Sequence, residues 1–247
     1  MPRINVDEAA RGIYIDFEGG GAVRTAFLGV LWVDDDEKPV FRQDIFDEAL
    51  WPLAAERNLH NSEHWQPADL PETLEELREL AEAENRKVFA YTEYERNRIE
   101  EHLPEGELYD WWMNGENLVN ARPIAKRWKT LNRPSIRFPP REGQTREWHS
   151  LANYLALIEY EVPTEYGPGV VAAAIDQTRT ELIATDGAAP LSEEAGFGWQ
   201  QAVMHNFHDC NGMRQLMIKC GTESPRTSVE AQETRRWAND FLSRHQE

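Results

Sequence analysis

A chain of 247 residues with 40% hydrophobic and 28% charged residues carries enough apolar material for a buried core without disulfide support, which excludes a mostly disordered protein. The formal net charge of −18 argues against a protein that coats nucleic acid by bulk electrostatics. The charge is nevertheless uneven: Arg122 to Arg146 holds eight basic residues against the single acid Glu142, so an acidic body carries one basic strip.

The N-terminal residues lack the apolar stretch of a signal peptide, and no run approaches the length of a membrane span, so the cytoplasm is the expected compartment. Ile13-Tyr14-Ile15-Asp16-Phe17-Glu18, the glycine turn Gly19-Gly20-Gly21, and Ala26-Phe27-Leu28-Gly29-Val30-Leu31-Trp32 predict strand, turn and strand. Val40-Phe41-Arg42-Gln43 adds a third antiparallel strand. Leu70, Leu74, Leu77, Leu80 and Ala81 recur at helical spacing behind Pro71 and predict a helix from about 69 to 84. Lys87 to Tyr91 reads as a short buried strand. Thr92 then caps a helix running to about Leu103, with Glu95 in capping-box position.

Leu118-Val119-Asn120 predicts another short strand, followed by a helix through Pro123, Ile124, Ala125 and Trp128. Asn132 to Thr145 reads as a loop, His149 to Leu155 opens a helix, and 161–169 is a loop. Ala195 to Cys220 is long enough for the last major helix, in which Cys210 and Cys220 stand roughly 15 Å apart along the axis and are not expected to pair. Residues 222–247 are expected as a helical tail on a domain spanning 1–221. This order predicts an α/β fold: a five-stranded mixed sheet of three antiparallel and then parallel strands, flanked by helices.

Asp16 and Glu18 project from one face of a strand that is otherwise apolar. Two acids side by side repel and lose hydration, costs that divalent cations offset; a strand with one solvated face would show the same alternation. Ile13 to Glu18 with Leu28-Gly29-Val30 resembles the first motif of the DEDD exonucleases, especially the ribonuclease-H-like domain of predicted RecB-family nucleases. Val88 to Glu95 resembles that group's second motif, and His205-Asn206-Phe207-His208-Asp209-Cys210 its third. The motifs fall in order on a strand, a helix N-terminus and a late helix, over roughly residues 12 to 220.

The resemblance implies a ribonuclease-H-like fold and a metal-dependent nuclease of 3′ to 5′ polarity, with Asp16, Glu18, Glu95 and Asp209 holding two ions of Mg2+ or Mn2+. Glu95 stands where many relatives carry aspartate, and its extra methylene favours indirect ligation; Glu93 is an alternative in the wrong register. His205, four residues before Asp209, shares its helix face and can take a proton from attacking water. The relatives carry tyrosine there, or histidine one residue earlier.

Arg122, Lys126, Arg127, Trp128, Arg137 and Arg141 are candidate contacts for a single-stranded nucleic-acid end, with Trp128, Phe138 and Trp148 as stacking surfaces. A solvated, flexible loop would have the same composition. His205, His208 and Cys210 make an incomplete zinc set, and His60 with His64 beside Trp65 reads as a surface pair. The competing functions are an inactive nucleic-acid-binding or protein-interaction module of the same fold, and a metal-dependent phosphohydrolase of nucleotides.

Overall fold

The computed structural model describes residues 4–55, 62–167, 169 and 171–223. Its centre is a mixed sheet of order β4-β3-β2-β1-β5-β6. The strands are β1 (Ile13–Glu18), β2 (Phe27–Val33), β3 (Pro39–Ile45), β4 (Ser62–Pro67), β5 (Val88–Ala90) and β6 (Leu118–Asn120). β1, β2 and β3 form the antiparallel meander, and β5 and β6 follow parallel to β1. The five expected strands are therefore present in the expected order. β4 is an addition, pairing parallel with β3 at the edge; Ser62-Glu63-His64-Trp65-Gln66-Pro67 has none of the apolar alternation that announces a strand.

β1 is buried on both faces, and its period of two sorts its residues between separate cores. Ile13, Ile15 and Phe17 pack with Leu28 and Val30 of β2 against α2 (Leu70–Ala83), α3 (Glu93–His102) and α4 (Glu107–Met113). Tyr14 lies on the opposite face. There it meets Leu31, Phe41 and the interior sides of α5 (Ala121–Asn132), α6 (Leu151–Leu157) and α8 (Glu193–Thr222). A third cluster joins Phe27 and Ile45 to α7 (Val171–Thr185) and the start of α8. The helix α1 (Val6–Arg11) precedes β1, and the Tyr14 hydroxyl donates to the Ala9 carbonyl at 2.6 Å.

Helix starts follow their side-chain caps. Asp69 accepts from the Glu72 amide at the head of α2, with Pro71 in the first turn, where its missing N–H is not needed. Thr92 and Glu95 form the expected capping box on α3. Asn120 caps α5 by accepting from the Arg122 amide, so the expected helix through Pro123 to Trp128 is present and takes in the first half of the basic strip. Cys210 and Cys220 are both free thiols. Among the described residues no helix is long and apolar enough to cross a membrane. Residues 224–247 of the expected tail, His60, and the side chains of His64 and Trp65 lie outside the described residues.

Trp112 is the largest fully buried side chain, and its indole N–H donates to the Leu74 carbonyl at 3.2 Å. Trp112→Ala opens a cavity between α2 and α4 and is expected to cost about 3–5 kcal/mol. Leu131→Ala, at a side chain 42% exposed, is expected to stay within about 0.5 kcal/mol. Urea denaturation of the two variants measures both.

Candidate active site

The even face of β1 that carries Tyr14 also carries Asp16 and Glu18. Asp16 pairs across the ladder with Gly29 and Glu18 with Phe27. Here α8 crosses the sheet and inserts Asn206, which is fully buried. Its Nδ2 donates to the Asp16 carbonyl at 2.9 Å and to Asp16 Oδ2 at 3.0 Å, and its Oδ1 accepts from Gln43 Nε2 at 3.0 Å. The approach is so close that a Cβ on residue 29 would stand 1.9 Å from Asn206 Oδ1, so only glycine fits there. One asparagine thus ties α8 to β1, β2 and β3.

That contact sets where Asp209 and His205 stand. Both lie within one turn of Asn206, and the His205 ring turns towards the carboxylates: Nε2 is 3.5 Å from Asp209 Oδ2 and 3.9 Å from Glu18 Oε1. Nδ1 is 2.8 Å from the Tyr166 carbonyl, in the short 3-10 turn Thr164–Tyr166. A carbonyl only accepts, so Nδ1 carries a proton and Nε2 is the ring nitrogen that faces the acids. The backbone-bonded histidine and the site histidine are one residue, using different ring nitrogens.

Glu95 enters from the other side. It is 4% exposed, and Oε2 accepts from Thr92 Oγ1 at 3.0 Å and the Thr92 amide at 3.2 Å. The capping box therefore aims one carboxylate inward while ending the helix correctly. Glu93 points elsewhere, exposed and accepting from Asn120 Nδ2 at 2.6 Å, which removes it as an alternative member.

The four carboxyls act on one another. Desolvation pushes Asp16 up to about 7, aided by the charge of Asp209, while His205 and Asn206 work against the rise. Glu95 is pushed up to about 7 by burial and then by the charge of Asp16. Burial raises Glu18 well above the carboxylate range, followed by the charges of Asp16 and Asp209. Asp209 is raised by burial and by Glu95, with His205 opposing. The four sequence-expected acids and His205 therefore share one electrostatic site. Among the described residues, His205 is the basic side chain that comes within 4 Å of these carboxylates. The acids are not arranged as a ready coordination cage: among the described residues no group of three His, Cys, Asp or Glu side chains stands in metal-holding geometry.

No protein-family model, curated protein or solved structure matches this chain. The likeness to DEDD exonucleases is carried by the three motifs alone.

The basic strip divides. Arg122 and Lys126, on α5, act electrostatically on His149, and Arg122 also acts on Tyr91, which feels Asp209 as well. Lys126 is exposed, one turn along α5 from Arg122. Arg127 is half-buried. Lys129 is buried on Glu147 at 2.6 Å, and Arg133 on Glu223 at 3.2 Å. Arg137 lies 3.7 Å from Glu147, and Arg141 lies over the Trp148 ring. Trp128 is not a stacking surface for bases. At 3% exposure it packs in the core beneath α8 and donates to Glu223, and Phe138 is equally buried. The amphipathic period of α5 turns Trp128 away from solvent. Trp148 is the member of that trio left exposed.

His208 and Cys210 leave the site as well. His208 lies against Tyr160, Tyr166 and Phe207, and Cys210 is buried with its thiol at the Gly29 carbonyl. Asp176 of α7 was not foreseen. Its carboxylate accepts from the amides of Gly21 at 2.7 Å and Ala22 at 3.2 Å and pins the loop that follows Glu18.

The raised carboxyls make a pH prediction. In the metal-free protein, Asp16 and Glu95 hold protons up to about pH 7, whereas in the unfolded chain they lose them near pH 4. Between those values the native state binds more protons than the unfolded one, so this contribution to stability is full below about pH 4 and is lost as pH rises to about 7. In EDTA, Asp16→Asn is expected to flatten that fall by an amount on the order of 1–3 kcal/mol. Thermal melts of parent and variant from pH 4.5 to 7.5 measure it; parallel curves would contradict the shift.

Proposed function

We propose that this protein is a metal-dependent nuclease of the DEDD type, hydrolysing phosphodiester bonds at single-stranded DNA or RNA ends with 3′ to 5′ polarity. The observation that carries the reading is the convergence of Asp16, Glu18, Glu95 and Asp209 from a strand and two helices, with Nε2 of His205 among them. Like charges held together against desolvation call for a countercharge, and the basic side chain at hand is a histidine. Oxygen-only donors of this kind suit hard divalent cations such as Mg2+ or Mn2+. Such ions would be held by Asp16, Glu18 and Asp209, with Glu95 reaching them through its longer side chain. Bound there, they would polarise the phosphoryl group and supply hydroxide at neutral pH.

The chain's own residues do the rest. Asn206 holds Asp16 by both its carbonyl and its carboxylate, so the acid cannot swing away. His205, its Nδ1 proton committed to Tyr166, presents Nε2 to receive the proton of the attacking water. Arg122, whose charge acts on Tyr91 as does that of Asp209, and the exposed Lys126 one turn along α5 offer cations for the phosphates of the polymer. One observation favours the phosphohydrolase reading: Lys129 and Arg133, two of the strip's eight cations, are consumed in buried ion pairs and leave fewer contacts for a long polymer.

Incubation with 5′-labelled single-stranded DNA and RNA, in Mn2+, Mg2+ or EDTA, tests the proposal. Shortening is expected with either metal and none with EDTA. Asp16→Asn is expected to lower the rate by roughly a thousandfold, about 4 kcal/mol of transition-state stabilisation, while leaving the protein at least as stable as the parent near neutral pH. His205→Ala is expected to cost about a hundredfold. If the parent shortens no polymer under any condition, the nuclease reading fails; turnover of free nucleotides alone would select the phosphohydrolase.

A further inference from the structure

With Trp128 and Phe138 buried, the aromatic surface beside the carboxylates has to come from another residue. Tyr94 is the neighbour of Glu95 in the first turn of α3 and is 41% exposed. Its amide is bonded to Thr92 Oγ1 at 3.0 Å, inside the capping box that aims Glu95. Its hydroxyl donates to the Arg24 carbonyl at 3.0 Å, in the loop between β1 and β2. That carbonyl packs onto the residue after Glu18: a Cβ on Gly19 would lie 2.3 Å from it. The chain of contacts runs from Tyr94 through Arg24 and Gly19 to Glu18, and the charges of Glu95 and Glu18 both act on the Tyr94 hydroxyl.

The ring is also fixed in orientation. The Arg98 guanidinium, one turn along α3 and buried, lies over it at 5.1 Å from the centroid. The hydroxyl is thus tethered and one face is covered by a cation, while the residue as a whole stays 41% exposed. A flat, immobilised ring at the rim of a phosphodiester site has the shape and chemistry to receive a nucleobase, because every base has a π-face. Arg24, exposed in the adjoining loop, places a cation beside it for a backbone phosphate.

We propose that Tyr94 is the stacking platform for an unpaired base at the end of a single-stranded nucleic acid, with Arg24 contacting a neighbouring phosphate. The assignment rests on the nuclease reading above and names how that site selects single strands. A duplex end holds each base to its partner, so a lone base can be drawn onto the ring only from a frayed or single-stranded end.

Equilibrium binding without cleavage tests it. Fluorescein-labelled oligothymidylate is titrated with protein in EDTA and low salt, followed by anisotropy, alongside an otherwise identical strand whose two 3′-terminal nucleotides are abasic. The parent is expected to bind the intact strand about tenfold more tightly than the abasic one. Tyr94→Phe keeps the ring and is expected to keep that preference; Tyr94→Leu is expected to bring the two strands within twofold. The comparison is made within each variant, so a general loss of fold or affinity does not imitate the result. A parent without preference, or a Tyr94→Leu variant that retains it, overturns the platform. Because no cleavage is needed, a protein that shortens polymer yet shows no such preference strikes the platform alone, and one that shows the preference but cuts nothing strikes the nuclease reading alone.

Discussion

Asn206 is the joint on which the arrangement of this molecule turns. A fully buried carboxamide must have its hydrogen bonds satisfied, and this one finds partners on β1 and β3 while filling the space left by Gly29 on β2. No other rotation of α8 about its axis meets all three demands. The helix is therefore locked in register against the sheet, and the side chains one turn away, His205 and Asp209, take their places relative to Asp16 as a consequence. Below the joint, Cys210, Met213, Leu216 and Met217 bury the same helix against Tyr14 and Leu31. The polar contact fixes the register and the apolar one supplies the stabilisation.

The carboxylates press against that joint. Burial and mutual repulsion raise all four, most plainly for Asp16 and Glu18, two acids on the same face of one strand. A fold that kept this arrangement without use would gain stability from almost any neutral substitution there. The arrangement makes physical sense as a site whose acids are meant to share a positive charge brought from outside.

Much of this was legible in the sequence because it resided in local patterns. The alternation Ile13-Tyr14-Ile15-Asp16-Phe17-Glu18 announces both a doubly buried strand and two acids on one face. Thr92 and Glu95 state a capping box that also delivers a carboxylate. The long-range contacts left weaker traces. Gly29, a glycine inside an apolar strand, signalled close approach without saying that Asn206 was the partner. α7 could have been found: Val171, Ala174, Ile175, Thr178 and Leu182 keep helical spacing, but alanine and threonine dilute the apolar signal. The Tyr166 carbonyl that orients His205 belongs to the backbone of a loop, and no side-chain pattern reports it. Trp128 was misjudged for the converse reason. Its basic neighbours suggested a surface, whereas the 3.6-residue period that aligns it with Ile124 and Ala125 turns it into the core.

The division of the basic strip resolves a tension between an acidic protein and an anionic partner. A net charge of −18 repels a polyanion at long range, so association depends on cations close to the site within about a Debye length, roughly 8 Å at physiological salt. Lys129 and Arg133 do not contribute to that field, because Glu147 and Glu223 neutralise them inside the fold. Arg122 and Lys126 enter beside Tyr91 and His149, and Arg24 stands at the loop after Glu18. On the nuclease reading, a net-acidic protein with cations beside Tyr91, His149 and the loop after Glu18 discourages binding along the length of a strand. It leaves a short end segment, whose few phosphates fit between those cations, as the part of a nucleic acid best able to approach the site.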